Sequence, residues 1–151
     1  MNKPSIVHRM TKVLVDIMFF GGSLSLIVTP FVMPHVLTYL GYLKKTHTAY
    51  SIIIISSGLC ALCIVWQLKT MFKTLLGGNP FVEKNVNCLR ICSVASFLIA
   101  IIYIIKVCIL LLTPSSLIIV IIFSLLGLFC LTLKDVFKQA IAYKEENDWT
   151  V

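Results

Sequence analysis

Two charged side chains fall inside long apolar stretches of this 151-residue sequence, and they are the first candidates for chemistry. Asp16 and Lys106 are ionisable residues at positions where a charge is costly in a membrane and often functional. They lie near opposite ends of their predicted helices, so we do not expect a direct ion pair between them. Asp16 has Lys12 one helical turn away as a partner, and Lys106 can extend its stem to the membrane interface. We expect structural roles for both, with proton or ion movement as the alternative.

Six cysteines and three histidines are the remaining residues that could support redox, metal or haem chemistry. Cys60 and Cys63 form a C-x-x-C pair, but this pair lies in the middle of an apolar stretch, where a thiolate is costly to form. No group of cysteines and histidines has the spacing of a metal site. The histidines lie outside the middle of the apolar stretches, where axial haem ligands would be needed. The sequence therefore predicts packed free thiols, no metal and no cofactor.

The sequence also lacks the common catalytic motifs. It contains no phosphate-binding glycine loop, no H-E-x-x-H and no nucleophile elbow. A serine protease that acts within the membrane would need a Ser with a His or Lys base at similar depth, and the sequence indicates no such pair. We therefore predict no catalytic residues and a protein that is not an enzyme.

The composition determines which elements carry these residues. Hydrophobic residues make up 59% of the chain and charged residues 13%, whereas soluble domains are about 25% charged. Four apolar stretches are long enough to cross a hydrocarbon layer of about 30 Å as helices; they are residues 13–36, 49–68, 91–112 and 117–133. We predict one transmembrane domain over residues 1–151, an all-α integral membrane protein whose four helices form an antiparallel bundle with cytoplasmic helical extensions.

The net charge of +7 is divided unevenly between the connections. Ten of the 13 Lys and Arg residues lie in the N-terminal segment, the second connection and the C-terminal tail. Only Lys44 and Lys45 lie on the other side. The positive-inside rule then predicts a multi-pass protein of the cell membrane with both termini in the cytoplasm.

The connections carry further signals. Pro30 and Pro34 predict a distorted end of the first helix and an outer loop over residues 37–48, with a hinge or a ligand-lined break as the alternative. The second connection, residues 69–90, predicts a cytoplasmic helical hairpin in which Asn79 caps the third helix and Pro80 is its first residue. The C-terminal segment 134–151 continues the fourth helix, and we expect it to pack on this hairpin.

Two motifs in these cytoplasmic segments carry a resemblance. The chain resembles a bacterial family of small four-helix membrane proteins, domain of unknown function 2975, with a G-x-P-F segment, an N-V-x-x-L-R segment and a C-terminal E-E-x-D-x-T-V ending. Trp149 stands where the family more often has Leu. The matching residues are Gly78, Pro80, Phe81, Asn85, Val86, Leu89, Arg90, Glu145, Glu146, Asp148, Thr150 and Val151. The resemblance implies no established enzymatic activity and an association with small helix-turn-helix regulators of the Cro-repressor type, often encoded beside family members.

The expected function is therefore binding or sensing for a cytoplasmic helix-turn-helix regulator. The basic hairpin could occupy an acidic surface of the regulator, or the acidic tail could occupy its recognition helix. The expected partner-binding residues are Asn79, Pro80, Phe81, Asn85, Leu89, Arg90, Glu145, Glu146, Asp148, Trp149 and Val151. The simpler interpretation is a helix start with interfacial anchors and a solvated tail.

Two other functions stay open. One is a small transporter, channel or accessory subunit of an export system, and the other is a lipid-interacting envelope-stress protein. We expect contacts with membrane lipids and no direct contact with nucleic acid, and the sequence leaves open whether the protein forms a homo-oligomer.

Overall fold

The computed structural model describes residues 6–41, 44–77, 80–110 and 112–148, and this part of the chain contains helices and turns but no strand. The helices are α1 (Ile6–Tyr39), α2 (Lys44–Leu76), α3 (Glu83–Ile109) and α4 (Pro114–Asp148). Each of the four is long and apolar enough to cross a membrane. The predicted all-α fold with four membrane-spanning helices is therefore confirmed.

The helices pack in chain order. Among the described residues, α1 packs against α2, α2 against α3 and α3 against α4. Short turns join them, so neighbouring helices run antiparallel. The core lies between α2, α3 and α4 and contains Ile64, Cys92, Ala95, Ile99 and Cys130. Most large apolar side chains of α1 face outward, as expected for a helix in contact with lipid.

Two glycines allow neighbouring helices to approach closely. The side chain of Leu26 on α1 fills the space that a Cβ atom at Gly58 of α2 would occupy. At Gly127 of α4 an added Cβ would lie 2.9 Å from the Cζ atom of Phe97 on α3. Such small residues commonly mark the contacts between membrane helices. The α1–α2 and α3–α4 interfaces therefore depend on these two positions.

The predicted outer loop over residues 37–48 is wrong. α1 continues through Pro30 and Pro34 as far as Tyr39, so the connection to α2 is much shorter than the expected loop 37–48. Each proline removes one backbone donor, yet helices in membranes accommodate such gaps through nearby side chains. The Thr38 hydroxyl donates to the Pro34 carbonyl at 2.8 Å and adds a bond to this last turn.

The start of the third helix also differs from the prediction. α3 begins at Glu83, and its N-cap residue Val82 has an extended backbone without a side-chain capping bond. Pro80 therefore belongs to the turn before the helix, and Asn79 lies outside the described residues. The physical reason is that Asn85 reaches back from within the helix to the Pro80 carbonyl and holds the turn.

The length of the helices places part of them beyond a membrane. α4 has 35 residues, which corresponds to about 52 Å at 1.5 Å per residue, compared with about 30 Å of hydrocarbon. Its apolar part ends at Leu133, so the surplus of about 20 Å lies at the C-terminal end of α4. This end of the bundle also contains the start of α1 and the α2–α3 turn, and we call it the basic end. We call the opposite end, with the α3–α4 turn, the Ser/Thr end.

Candidate functional site

A buried amide holds the α2–α3 turn at the basic end. Asn85 is 2% exposed, and its Nδ2 atom donates to the Pro80 carbonyl at 2.6 Å. Its Oδ1 atom accepts a bond of 2.8 Å from the hydroxyl of Thr74 on α2. Buried polar groups are costly unless they are paired, and here both ends of the amide have a partner. Asn85 therefore ties the end of α2 to the start of α3.

An aromatic contact joins this turn to α4. The rings of Phe81 and Phe137 lie with centroids 5.1 Å apart and planes tilted by 53°, a separation typical of favourable aromatic pairs. A small apolar cavity of about 140 Å³ lies beside them. It is lined by Leu68, Met71, Phe72, Leu75, Pro80, Asn85 and Phe137. The α2–α3 turn and the projecting part of α4 thus form one connected surface.

The expected partner-binding residues fall into three groups in the structure. Asn85 and Leu89 are 2% and 4% exposed, so they hold the bundle together and are not available to a partner. The described residues with exposed side chains are Phe81, Arg90, Glu145 and Glu146, while Pro80 is half-buried. Asp148 is the last residue of α4. Trp149 and Val151 lie outside the described residues.

The projecting part of α4 ends in an exposed charged segment. Its side chains from residue 142 to residue 147 are all exposed. Lys144 is followed by Glu145 and Glu146, and Asp148 ends the helix. We call residues 144–148 the acidic tip. By helix rise it lies about 17–22 Å beyond Leu133, where the apolar part of α4 ends.

Asp16 has a different partner from the one expected. Its Oδ1 atom lies 2.7 Å from Nζ of Lys69 on α2, with both side chains partly exposed. Lys69 also lies over the rings of Phe19 and Phe20, 5.5 and 5.7 Å from their centroids, which is within cation–π range. The predicted pairing with Lys12 is therefore wrong, because α2 brings a closer cation to the same depth. Asp16 links α1 to α2.

The sequence suggested that Lys106 extends to the membrane interface, and the structure shows that it does not. It is 6% exposed, and its Nζ atom donates to the hydroxyls of Thr113 at 2.9 Å and Ser116 at 2.6 Å. The two hydroxyl oxygens are themselves 2.6 Å apart. The ammonium group also lies 5.8 Å from the centroid of the Tyr50 ring on α2. Lys106 therefore holds the α3–α4 turn closed.

The prediction that no serine has a base at similar depth is also wrong, because Lys106 and Ser116 are hydrogen-bonded. A lysine beside a serine is one arrangement that can activate a nucleophile. Ser116, however, is 2% exposed, so a substrate carbonyl cannot approach its hydroxyl in this conformation. The hydrogen bond between Lys106 and Ser116 instead stabilises the α3–α4 turn.

The cysteines lie in and around the core. All six are free thiols, and three of them, Cys88, Cys92 and Cys130, are buried. The described residues contain no group of three or more His, Cys, Asp or Glu side chains placed to hold a metal ion. The Cys92 thiol lies 3.9 Å from the Ile64 carbonyl and links α3 to α2. The arrangement is that of a packed helix interface.

Sequence reasoning missed the partners of these polar residues. The sequence singled out Asn85, Asp16 and Lys106. Their partners in the structure are Thr74 and Lys69 of α2 and Ser116 of α4, respectively. A signal was present, because each is a polar residue beside an apolar stretch at the depth of its partner. Pairing polar residues by depth across predicted antiparallel helices would have found all three.

Comparison with known proteins gives one family match. The family model described as Protein of unknown function (DUF2975) matches residues 30–151, which include α2, α3, α4 and the second motif at the C-terminus. Neither the curated proteins nor the solved structures contain a match to this chain. The matched segment covers well over half of the sequence and includes the α2–α3 turn held by Asn85. The chain therefore belongs to the family described as Protein of unknown function (DUF2975).

Proposed function

We propose that this protein is a non-enzymatic bacterial plasma membrane protein that binds a small cytoplasmic helix-turn-helix regulator at its basic end. The observation that carries the proposal is the joining of the α2–α3 turn to the projecting part of α4 through Phe81 and Phe137. A free helical extension would fray and present no fixed surface. A tied extension holds its exposed side chains in a constant arrangement, which reduces the entropy lost on binding.

The charge of the acidic tip indicates the kind of surface that it fits. Glu145, Glu146 and Asp148 supply three of the six acidic residues of the chain. A helix-turn-helix regulator contacts DNA phosphates through Lys and Arg around its recognition helix. An acidic helix end that projects from the membrane has the opposite charge and can attract that surface over a distance. We therefore place the regulator's recognition helix at the acidic tip.

The orientation required by this proposal comes from the distribution of charge. Lys and Arg concentrate at the basic end, which by the positive-inside rule faces the cytoplasm. The start of α1 and the acidic tip then lie on the side where a transcriptional regulator is found. The same distribution supports insertion in the plasma membrane, because the Lys and Arg bias sets the orientation of a chain as it is inserted.

A binding measurement tests the proposal. The intact protein is purified in detergent, and its affinity for a small helix-turn-helix regulator of the Cro-repressor type from the same organism is measured as a function of salt. We expect Glu145→Lys with Glu146→Lys to weaken binding at least tenfold, because attraction becomes repulsion. The same affinity should fall as the salt concentration rises, since exposed charges are screened.

Asp135 provides a matched control on the same helix. Asp135 is an exposed acid about 15 Å nearer the membrane than Glu145, since ten residues separate them. Asp135→Lys should change the affinity less than threefold. No detectable binding by the intact protein would contradict the proposal. Equal weakening by Asp135→Lys and by Glu145→Lys alone, which change the charge by the same amount, would contradict the assignment of the acidic tip as the contact.

Transport is less well supported as an alternative. Both charged residues singled out within the apolar stretches are already engaged, Asp16 with Lys69 and Lys106 with Thr113 and Ser116. A solute path usually needs polar groups that face a water-filled space. These two groups instead hold helices together, and this favours a binding protein.

A further inference from the structure

A groove runs along the face shared by α2 and α3, on the membrane-embedded part of the bundle. It has a volume of about 730 Å³, within the size range of binding sites for small molecules. Its floor is made by the small side chains Cys60, Cys63 and Ala95, and Leu59 and Leu98 form part of its walls. The small floor residues leave a depression between two rows of larger apolar side chains. The body of the groove therefore suits a hydrocarbon chain.

The end of the groove nearest the basic end is polar. Asn87 and Arg90 line it there, and both side chains are exposed. The third apolar stretch begins at Ile91, so Arg90 lies at the boundary between hydrocarbon and headgroups. Eight residues separate Arg90 from Leu98, which is a distance of about 12 Å along α3. This approaches the thickness of one hydrocarbon leaflet, about 15 Å.

The order of these groups matches the order of groups in a phospholipid. We propose that the groove binds one anionic phospholipid, with an acyl chain over Cys60, Cys63 and Ala95 and the headgroup phosphate at Arg90. The planar guanidinium group of arginine can make two parallel hydrogen bonds to a phosphate. The Asn87 amide supplies a further donor at the same end. A net negative headgroup is preferred because the ionic side chain that lines the groove, Arg90, is a cation.

A neighbouring charge strengthens this preference. Lys84 lies one turn before Asn87 on α3, and the spacing of three residues places them on the same helical face. Its side chain is exposed. An anionic lipid near a membrane surface is attracted by each such Lys or Arg. The proposal is independent of regulator binding, since the groove lies between α2 and α3 and the acidic tip lies on α4.

Native mass spectrometry of the full-length protein tests the proposal. The protein is purified in detergent and titrated with phosphatidylglycerol or with phosphatidylcholine carrying the same acyl chains. We expect one phosphatidylglycerol to be retained at lipid concentrations where phosphatidylcholine is lost. Arg90→Gln should lower the retention of phosphatidylglycerol roughly tenfold, the size of effect expected for a charged hydrogen bond.

Lys138→Gln is the matched control for charge. Lys138 is also exposed at the basic end, but it lies on α4, which does not contribute to the groove. Its replacement removes the same charge and should leave retention unchanged. Equal retention of the two lipids by the unsubstituted protein would overturn the proposal. Equal effects of Arg90→Gln and Lys138→Gln would overturn it as well, because attraction would then come from the net charge alone.

A second variant tests the apolar part of the groove. Cys63→Phe places a large side chain on the floor and should reduce retention of phosphatidylglycerol at least fivefold without changing the charge. Unchanged retention by this variant would contradict the placement of the acyl chain. Arg90 is exposed, so Arg90→Gln should not disturb the packing of the helices. This variant therefore tests the proposal even where Cys63→Phe lowers the thermal stability of the protein.

Discussion

The α2–α3 and α3–α4 turns are both held by a polar side chain of α3, but the two side chains differ in charge. At the basic end, the neutral amide of Asn85 ties α3 to the Pro80 carbonyl and to Thr74. At the Ser/Thr end, the charged ammonium group of Lys106 binds the hydroxyls of Thr113 and Ser116. In both hairpins a side chain within α3 reaches the neighbouring turn, and in both it is almost completely buried.

The two ends differ in the exposure of their charged side chains. At the Ser/Thr end the cation is enclosed by the turn and is not available to another molecule. At the basic end the turn is held by an uncharged group, so Lys84 and Arg90 on α3 stay exposed. One end therefore uses its charge for structure, and the other presents its charges outward. For this reason we propose that an anionic lipid binds at the basic end, while the proposed regulator contact uses the acidic tip of α4.

The largest expected effect comes from removing both hydroxyls at the Ser/Thr end. Thr113→Ala with Ser116→Ala should lower the free energy of unfolding by about 3 kcal/mol, because a buried charge loses two hydrogen-bond acceptors. Denaturant unfolding in detergent micelles measures this change. Ser115→Ala is the control, since Ser115 is exposed and its hydroxyl donates to the Thr113 hydroxyl at 3.2 Å. A loss below about 1 kcal/mol in the double variant would show that the charge is hydrated.

A somewhat smaller effect is expected from the amide at the basic end. Asn85→Ala should lower the free energy of unfolding by about 2 kcal/mol, since the Pro80 carbonyl and the Thr74 hydroxyl lose a buried partner. Asn87→Ala is the matched control on the same helix, because Asn87 is exposed and its loss should cost under about 0.5 kcal/mol. Similar values for the two variants in the same unfolding experiment would remove the parallel between the hairpins.

The aromatic contact should contribute less again. A double-mutant cycle with Phe81→Ala and Phe137→Ala should give a coupling energy of about 1 kcal/mol, the range found for such ring pairs. Thermal or denaturant unfolding of the four proteins provides the measurement. Purely additive effects of the two substitutions would mean that the α2–α3 turn is not tied to α4, and the proposed binding surface would then lose its support.

The smallest coupling is expected for Asp16 and Lys69. Both side chains are partly exposed, and exposed ion pairs gain little because water and salt screen them. A double-mutant cycle with Asp16→Asn and Lys69→Met should give a coupling weaker than that of the aromatic pair. It should decrease further as salt is added. A large coupling that is insensitive to salt would instead indicate a buried pair like the one at Lys106.

The sequence predicted the fold well because membrane spans leave a strong signal. Long apolar stretches, separated by short polar segments, determine the number and order of helices with little help from tertiary packing. The continuation of α2 to Leu76 and of α4 to Asp148 follows from weaker apolar stripes in the same way. Charge counts predict an orientation, which stays a prediction until it is measured.

The sequence predicted the polar partners poorly. Local spacing suggested Lys12 for Asp16 and the interface for Lys106, because spacing identifies only partners within one helix. Partners on other helices are found only when polar residues are paired by depth. The start of α3 was misplaced for a related reason. A residue within the helix, Asn85, holds the turn through the Pro80 carbonyl, and α3 begins at Glu83 without a side-chain capping bond. The errors at Asp16 and Lys106 are interactions with a neighbouring helix that override a local preference.

Impermeant thiol labelling in intact cells tests most directly which end faces the cytoplasm. Ser115→Cys introduces an exposed thiol at the Ser/Thr end, and Lys138→Cys introduces one at the basic end. The unsubstituted protein, with its six free cysteines, provides the background. The proposed orientation predicts labelling of Ser115→Cys in intact cells and of Lys138→Cys only after the membrane is permeabilised. Labelling of Lys138→Cys in intact cells would contradict a cytoplasmic basic end and, with it, binding of a cytoplasmic regulator there.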